Sequence, residues 1–213
     1  MCVPFAVPGS LLGTVGTQPV TVTNPAPGGG VSNAVGFDVT CDTTGVDIPL
    51  GPLGTVTTRD LLWGSSPPTS ERFTSSSVCP ASIPTTPTNT EPYRAFVVQN
   101  TSSAPVTLST WAVCTSTSTT RSDAFLATYR RSTIPMTLAE RTACTGDVSE
   151  GANGAPSLPS PDSNGSTWCP GLTNALGAGL SLGVCEKGVV YIQPWSTTST
   201  SYLPPPQIRF SPE

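Results

Sequence analysis

The stretch Ala104–Cys114, APVTLSTWAVC, alternates along its length. Val106, Leu108, Thr110, Ala112 and Cys114 fall on one side of an extended chain, and Thr107, Ser109, Trp111 and Val113 on the other. A period of two marks a β-strand, whose successive side chains point to opposite faces. Tyr93–Asn100, YRAFVVQN, behaves alike, with Phe96 and Val98 facing away from Val97. Both patterns describe half-buried antiparallel strands.

Outward from this pair, similar segments rich in Val, Thr, Phe, Tyr and Trp recur between Pro, Gly and Asn breaks. Strands are expected at Pro19–Asn24 (PVTVTN), Gly36–Asp42, Thr55–Trp63, Ala124–Arg130, Gly188–Trp195 and Gln207–Phe210. Enrichment in β-branched and aromatic residues with frequent turn signals is the all-β signature. The only helix-like segment is Leu138–Arg141, good for one or two turns. The expected fold is therefore an antiparallel β-sandwich of Greek-key or jelly-roll type, disulfide-stapled, with little or no helix.

Proline lacks a ladder donor, so the Pro/Thr stretch 81–92 (ASIPTTPTNTEP) cannot continue a sheet. It is read as a connection between an N-terminal β region, 1–80, and a sandwich domain, 93–213. The first region has too few strands to fold alone and is expected to pack on or pair with the second.

Composition narrows function. The 213 residues include no His and one Lys, Lys187, but 33 Thr and 26 Ser; only 10% are charged, and the net charge is −4. Without histidine, Ser-His and Cys-His nucleophile activation and every His-containing metal site are removed. A carboxylate-based hydrolase is the remaining enzymatic route, and the reading is non-catalytic. The nine cations are scattered, which disfavours nucleic acid as a partner. No apolar run is long enough to span a membrane.

Seven cysteines at wide spacing, with no CxxC pair, fit disulfides in an oxidising compartment better than a zinc site. The disulfide candidates are Cys41, Cys79, Cys114, Cys144, Cys169 and Cys185. Spacing does not choose among pairings; Cys169–Cys185, Cys114–Cys144 and Cys41–Cys79 are taken as the expectation. Cys2 is left unpaired or intermolecular. The first residues lack a basic n-region and an apolar h-region, so the numbering is expected to start at or near a mature end, outside the cell, at its surface or in the periplasm.

From Tyr93 to Trp195 the order of features resembles the bacterial pre-peptidase C-terminal (PPC) family of secreted β-sandwiches. The matching residues are YRAFVVQN (93–100), VTLSTWAVC (106–114), SDAFLATYR (122–130), Ala143–Asp147, ALGAGLSLGV (175–184) and GVVYIQP (188–194). The resemblance implies a non-catalytic accessory or cell-surface sandwich, with a calcium-binding role for Asp123. A second, single resemblance is SPDSNGSTW (160–168) to the Asp-box turn of secreted β-proteins, where Asp closes the turn and Trp packs beneath it.

Calcium is the metal that needs only oxygen ligands, and Asp38, Asp42, Asp47 and Asp162 are further candidates for a structural site; no other cofactor is expected. Exposed aromatic rings can stack on sugars, which makes Trp63, Trp168 and Trp195 candidates for a face that binds surface polysaccharide. Asn100-Thr-Ser102 and Asn164-Gly-Ser166 are N-glycosylation sequons. Residues 19–24, flanked by Gly and Pro segments, could leave their own domain and pair with a neighbour's sheet edge. The expected function is thus an exported structural or adhesive component of the cell surface or of a fibre or coat; the alternative is a PPC-like module for glycan or calcium.

Overall fold

The computed structural model describes residues 14–63, 67–71, 90–114, 121–148, 169–174, 178–194, 197 and 202–213. Its strands are β1 (Gly16–Val20), β2 (Val35–Val39), β3 (Ile48–Leu50), β4 (Thr57–Asp60), β5 (Thr69–Glu71), β6 (Thr90–Pro92), β7 (Arg94–Asn100) and β8 (Val106–Val113). Then follow β9 (Arg121–Ser122), β10 (Ala124–Tyr129), the helix α1 (Leu138–Thr142), β11 (Gly146–Val148), β12 (Gly171–Leu172) and β13 (Leu180–Leu182). The last are β14 (Lys187–Pro194), β15 (Tyr202–Leu203) and β16 (Gln207–Pro212).

Two sheets face each other. The first runs β11-β10-β14-β7-β3, the second β12-β8-β16-β4, with β13 also on β8. The long pairings β7–β14, β10–β14 and β8–β16 are antiparallel. At one edge β3 runs parallel to β7, Ile48 opposite Val98. The chain crosses repeatedly between layers: β3, β7, β10 and β14 lie in the first sheet, β4, β8 and β16 in the second.

Strand periodicity sorts side chains into two cores. Val106, Leu108, Ala112 and Cys114 of the second sheet meet Val98, Leu126, Val190 and Ile192 of the first, with Phe210 and Ile208 between the layers. The alternate residues of the first sheet, Val97, Phe125, Tyr129, Val189 and Tyr191, form a smaller core on its outer face, where Ile134 and Leu138 pack. Antiparallel sheets often leave one face in water; here both faces of the first sheet are covered.

The sandwich extends back to Ile48. β3 and β4 supply an edge to each sheet, so the layers draw on residues that precede the Pro/Thr stretch and do not begin at 93.

The helix expected near Leu138 is fixed at its start by a capping box. The Thr137 hydroxyl accepts from the Glu140 N–H at 3.3 Å, and the Glu140 carboxylate accepts from the Thr137 and Met136 N–H groups at 3.0 Å each. Such reciprocal bonds satisfy donors that the first turn leaves free. Arg131 lies 2.6 Å from the same carboxylate. Arg131 first, then these amide donors, lower the Glu140 pKa from 4.5 to about 2. A carboxyl whose folded pKa is depressed stabilises above its unfolded value, and that stabilisation is lost as pH falls through the folded one. Carboxyl-detected NMR should therefore place the Glu140 midpoint near 2, and Glu140→Gln should flatten the stability profile below about pH 4. A midpoint at the ordinary glutamate value would show that the box is not formed in solution.

Three disulfide expectations are corrected. Cys41 pairs with Cys185 and Cys114 with Cys169, at Cα separations of 5.3 and 5.9 Å. Neither Cys169–Cys185 nor Cys41–Cys79 is therefore formed. Cys144 is also disulfide-bonded, but not to Cys114; its partner lies outside the described residues, as do Cys2 and Cys79. Strand order explains the pairs. Register brings Gly171 of β12 opposite Trp111 of β8, which lays Cys169 beside Cys114. Cys185 precedes β14 where β14 meets the end of β7, and Cys41 leads toward β3 on the other side of β7.

Candidate functional site

Residues 14–40 form a two-stranded arm. β1 and β2 pair antiparallel from Gly16 opposite Val39 to Val20 opposite Val35. The ribbon continues beyond them through a Thr23–Val31 bridge and bonds between Val22 and Ser32. At the tip, the Asn24 N–H bonds the Gly30 carbonyl at 3.0 Å. Gly28 there has φ +82, and a Cβ on Gly29 would collide with the Asn24 carbonyl. Only glycine satisfies these demands, so Gly28 and Gly29 are turn requirements. The strand expected at 19–24 is thus one limb of a hairpin whose regular pairing begins earlier, at Gly16.

Among the described residues β1 and β2 hydrogen-bond as a sheet only to each other. The arm keeps Val22, Val31, Val35 and Phe37 exposed, the first three by more than 60%. Its single charge is Asp38, whose carboxylate accepts from the Thr17 hydroxyl at 2.6 Å. A lone two-stranded ribbon is marginal in water, and this one spends little of its apolar surface on the sandwich. Its base is fixed covalently: Val39 is buried, and Cys41 is tied to Cys185.

A second cluster lies on the outer face of the first sheet. Tyr191 and Ser70 hydroxyls are hydrogen-bonded, the Gln193 amide donates to the Ser70 carbonyl and hydroxyl at 3.1 Å each, and it reaches the Glu91 carbonyl at 3.3 Å. Buried Arg141 forms an ion pair with Glu71 and donates to the Met136 carbonyl. Burial pushes the Tyr191 phenol well above its ordinary pKa, with the Ser70 hydrogen bond opposing. Tyr191 and Gln193 are fully buried, so this network latches β5 and β6 onto the sheet. The sequence offered little sign of it, because 65–70 (SSPPTS) and 81–92 both read as Pro/Thr breaks that cannot continue a ladder. That reading is corrected at their ends, where Thr69–Glu71 and Thr90–Pro92 pair as strands, prolines falling only at the margin of the ladder.

A groove of about 550 Å³ opens beside the Cys41–Cys185 bridge, between Asp42, Arg130, Arg131 and Lys187. Its cations are engaged: Arg130 grips Glu186 with both its Nε and Nη2, Arg131 holds Glu140, and Lys187 donates to the Thr44 carbonyl at 2.7 Å. The Gly183 N–H, and then Arg130, hold the Glu186 carboxyl below the usual range.

Of the carboxylates singled out from the sequence, the described ones do not gather into a metal site. Asp38 lies on the arm; the Thr44 side chain first, and then its N–H at 2.9 Å, hold the Asp42 carboxyl below its ordinary pKa; Asp47 accepts from the Val97 N–H at 2.7 Å; Asp123 is buried just before β10. Among the described residues no three His, Cys, Asp or Glu side chains converge to hold a metal. Asp162 and the Asp-box-like turn 160–168 lie outside the described residues, with Trp168 and Trp195. Trp63 is half-buried: its indole N–H donates to the Pro205 carbonyl at 2.8 Å, and Arg94 stands 6.0 Å from the ring centroid. Asn100 cannot carry a glycan in this fold, since it is fully buried and its Nδ2 faces the Ala104, Leu182 and Gly183 carbonyls.

Comparison of the chain with family models, with curated proteins and with solved structures returned no match. The disulfides Cys41–Cys185 and Cys114–Cys169 accord with an oxidising compartment. No helix among the described residues is long and apolar enough to cross a membrane.

Proposed function

We propose that this is an exported, non-catalytic structural or adhesive protein that assembles with further copies of itself through the arm at residues 14–40. The observation behind this reading is an exposed, nearly uncharged ribbon, apolar at Val22, Val31, Val35 and Phe37 and fixed at its base by a disulfide. Unpaired strand edges template pairing with another chain, and soluble monomers usually blunt them with charge, proline or a cover. An apolar edge added to a neighbouring sheet gains ladder hydrogen bonds and buries side chains together. The hydroxyl-rich, low-charge surface and the resemblance to secreted PPC sandwiches agree with an accessory role outside the cell.

A concentration series in static light scattering, with negative-stain images, is the test. The protein should form ordered oligomers. Val35→Lys with Phe37→Lys should shift the association midpoint by about tenfold or more, since each buried side chain is worth on the order of 1.5–3 kcal/mol when fully covered. A strict monomer at high concentration would overturn the proposal.

A further inference from the structure

Seven of the large hydrophobic side chains that stay exposed fall in two places. Val22, Val31, Val35 and Phe37 are on the arm; Leu53, Val56 and Leu62 flank β4; Met136 and Leu203 are the others among the described residues. Among the described residues β4 ends the second sheet and pairs only with β16. The Gly54 and Leu61 N–H groups bond back to Pro212 and Pro206, so β16 and its flanks serve one side of the whole 54–61 segment. Among the described residues no strand pairs with the opposite side, and Thr58, Arg59 and Asp60 are exposed along it. Proline, bulges or inward charge normally protect such an edge; Thr57–Asp60 (TTRD) has no proline, and its one cation, Arg59, stands opposite the buried Ile208, as the charge that guards the edge until an acid meets it.

The two surfaces match in charge as well as in apolar character. Asp38 is the only charge on the arm, and Arg59 is the cation on β4. Neither joins an ion pair among the described residues; Arg59 Nη1 only reaches its neighbour's Thr58 carbonyl at 3.4 Å. Each acid accepts one neutral hydrogen bond, Asp38 from the Thr17 hydroxyl at 2.6 Å and Asp60, the remaining charge on β4, from Gln207 Nε2 at 2.8 Å.

We infer that the occupant of the β4 edge is the arm of a second copy of this chain: the free side of β2 extends the second sheet of its neighbour antiparallel, Asp38 meets Arg59, and in that register Val35 falls against Leu62 on the other face. The inference rests on the assembly reading above and specifies its partner surface. Because arm and edge are different surfaces, the contact is head-to-tail. Each copy offers its arm forward and its edge backward, which generates a ring if the rotation closes and a filament if it does not.

The test uses the full chain with Asp38→Arg and Arg59→Asp. Like charges opposed across paired strands are destabilising and misdirect partners. Each single variant should therefore raise the association midpoint by about tenfold. The double variant, and a mixture of the two single variants, should recover assembly, because in the mixture each arm finds an edge of opposite charge. Recovery in the mixture also shows that both variants fold. If the single variants assemble like the unmodified chain, or the mixture does not recover, the arm-to-β4 contact is wrong while the assembly reading stands. Closed dimers lost with the arm substitutions but indifferent to Arg59→Asp would point to arm-on-arm pairing and likewise overturn it. If the unmodified chain stays monomeric, the assembly reading itself fails.

Discussion

Phe210→Ala is expected to lower the unfolding free energy by about 3–5 kcal/mol, the range for removing a large ring from a packed core. Phe210 lies in β16, between β8 and β4, and is fully buried. Its ring meets Phe96 of the opposite sheet edge-on, with centroids 5.6 Å apart and planes at 75°, the arrangement aromatic quadrupoles favour. Alanine would remove the ring from the seam between the layers, where both sheets are held by long ladders that cannot collapse into the space. Urea unfolding should show the midpoint falling with the slope unchanged, since the surface exposed on unfolding is nearly the same. Phe37→Ala, on the arm, is the control: at concentrations too low for association it should change stability by no more than about 0.5 kcal/mol. A small loss at Phe210 would mean that the two layers are not packed as described.

Serine at both Cys41 and Cys185 is expected to cost about 2–4 kcal/mol, the usual range for losing a native disulfide. The bridge spans 144 residues of sequence, against 55 for Cys114–Cys169. Cross-links act mainly by removing loop entropy from the unfolded chain, and that entropy grows only logarithmically with length. The longer bridge should thus stabilise more than the shorter by about 1 kcal/mol at most. Its position adds a second effect. It fastens the base of the arm to the turn before β14, so its loss should also weaken association at concentrations where the sandwich remains folded. Unchanged urea midpoints in the double variant would show that the bridge does not constrain the unfolded chain.

The strands of the two layers were largely legible. Ala104–Cys114 and Tyr93–Asn100 alternate as read, with Val106, Leu108, Ala112 and Cys114 in the seam and Phe96 and Val98 facing it opposite to Val97. Short edges were not legible: Ile48–Leu50 is only three residues, too brief to display a period, and its parallel pairing with β7 is set by the sheet already present. The arm was half legible. PVTVTN was read as a strand, and Pro19 and Val20 do lie in β1, but its hairpin partner, beginning at Val35, was read as an independent strand.

The sequence by itself determined an all-β, disulfide-bonded chain poor in charge and without histidine, because composition and period-two alternation are local properties that each segment expresses alone. Only the tertiary structure decided which cysteines meet, that Asn100 is sealed under three carbonyls, that Ser70 and Gln193 latch β5 to the sheet, and that residues 14–40 stand apart from the sandwich. These depend on strand order and register, which bring together positions such as Cys41 and Cys185, 144 residues apart, or Asp60 and Gln207, 147 apart. Their contacts form through ladders whose partners no local pattern names.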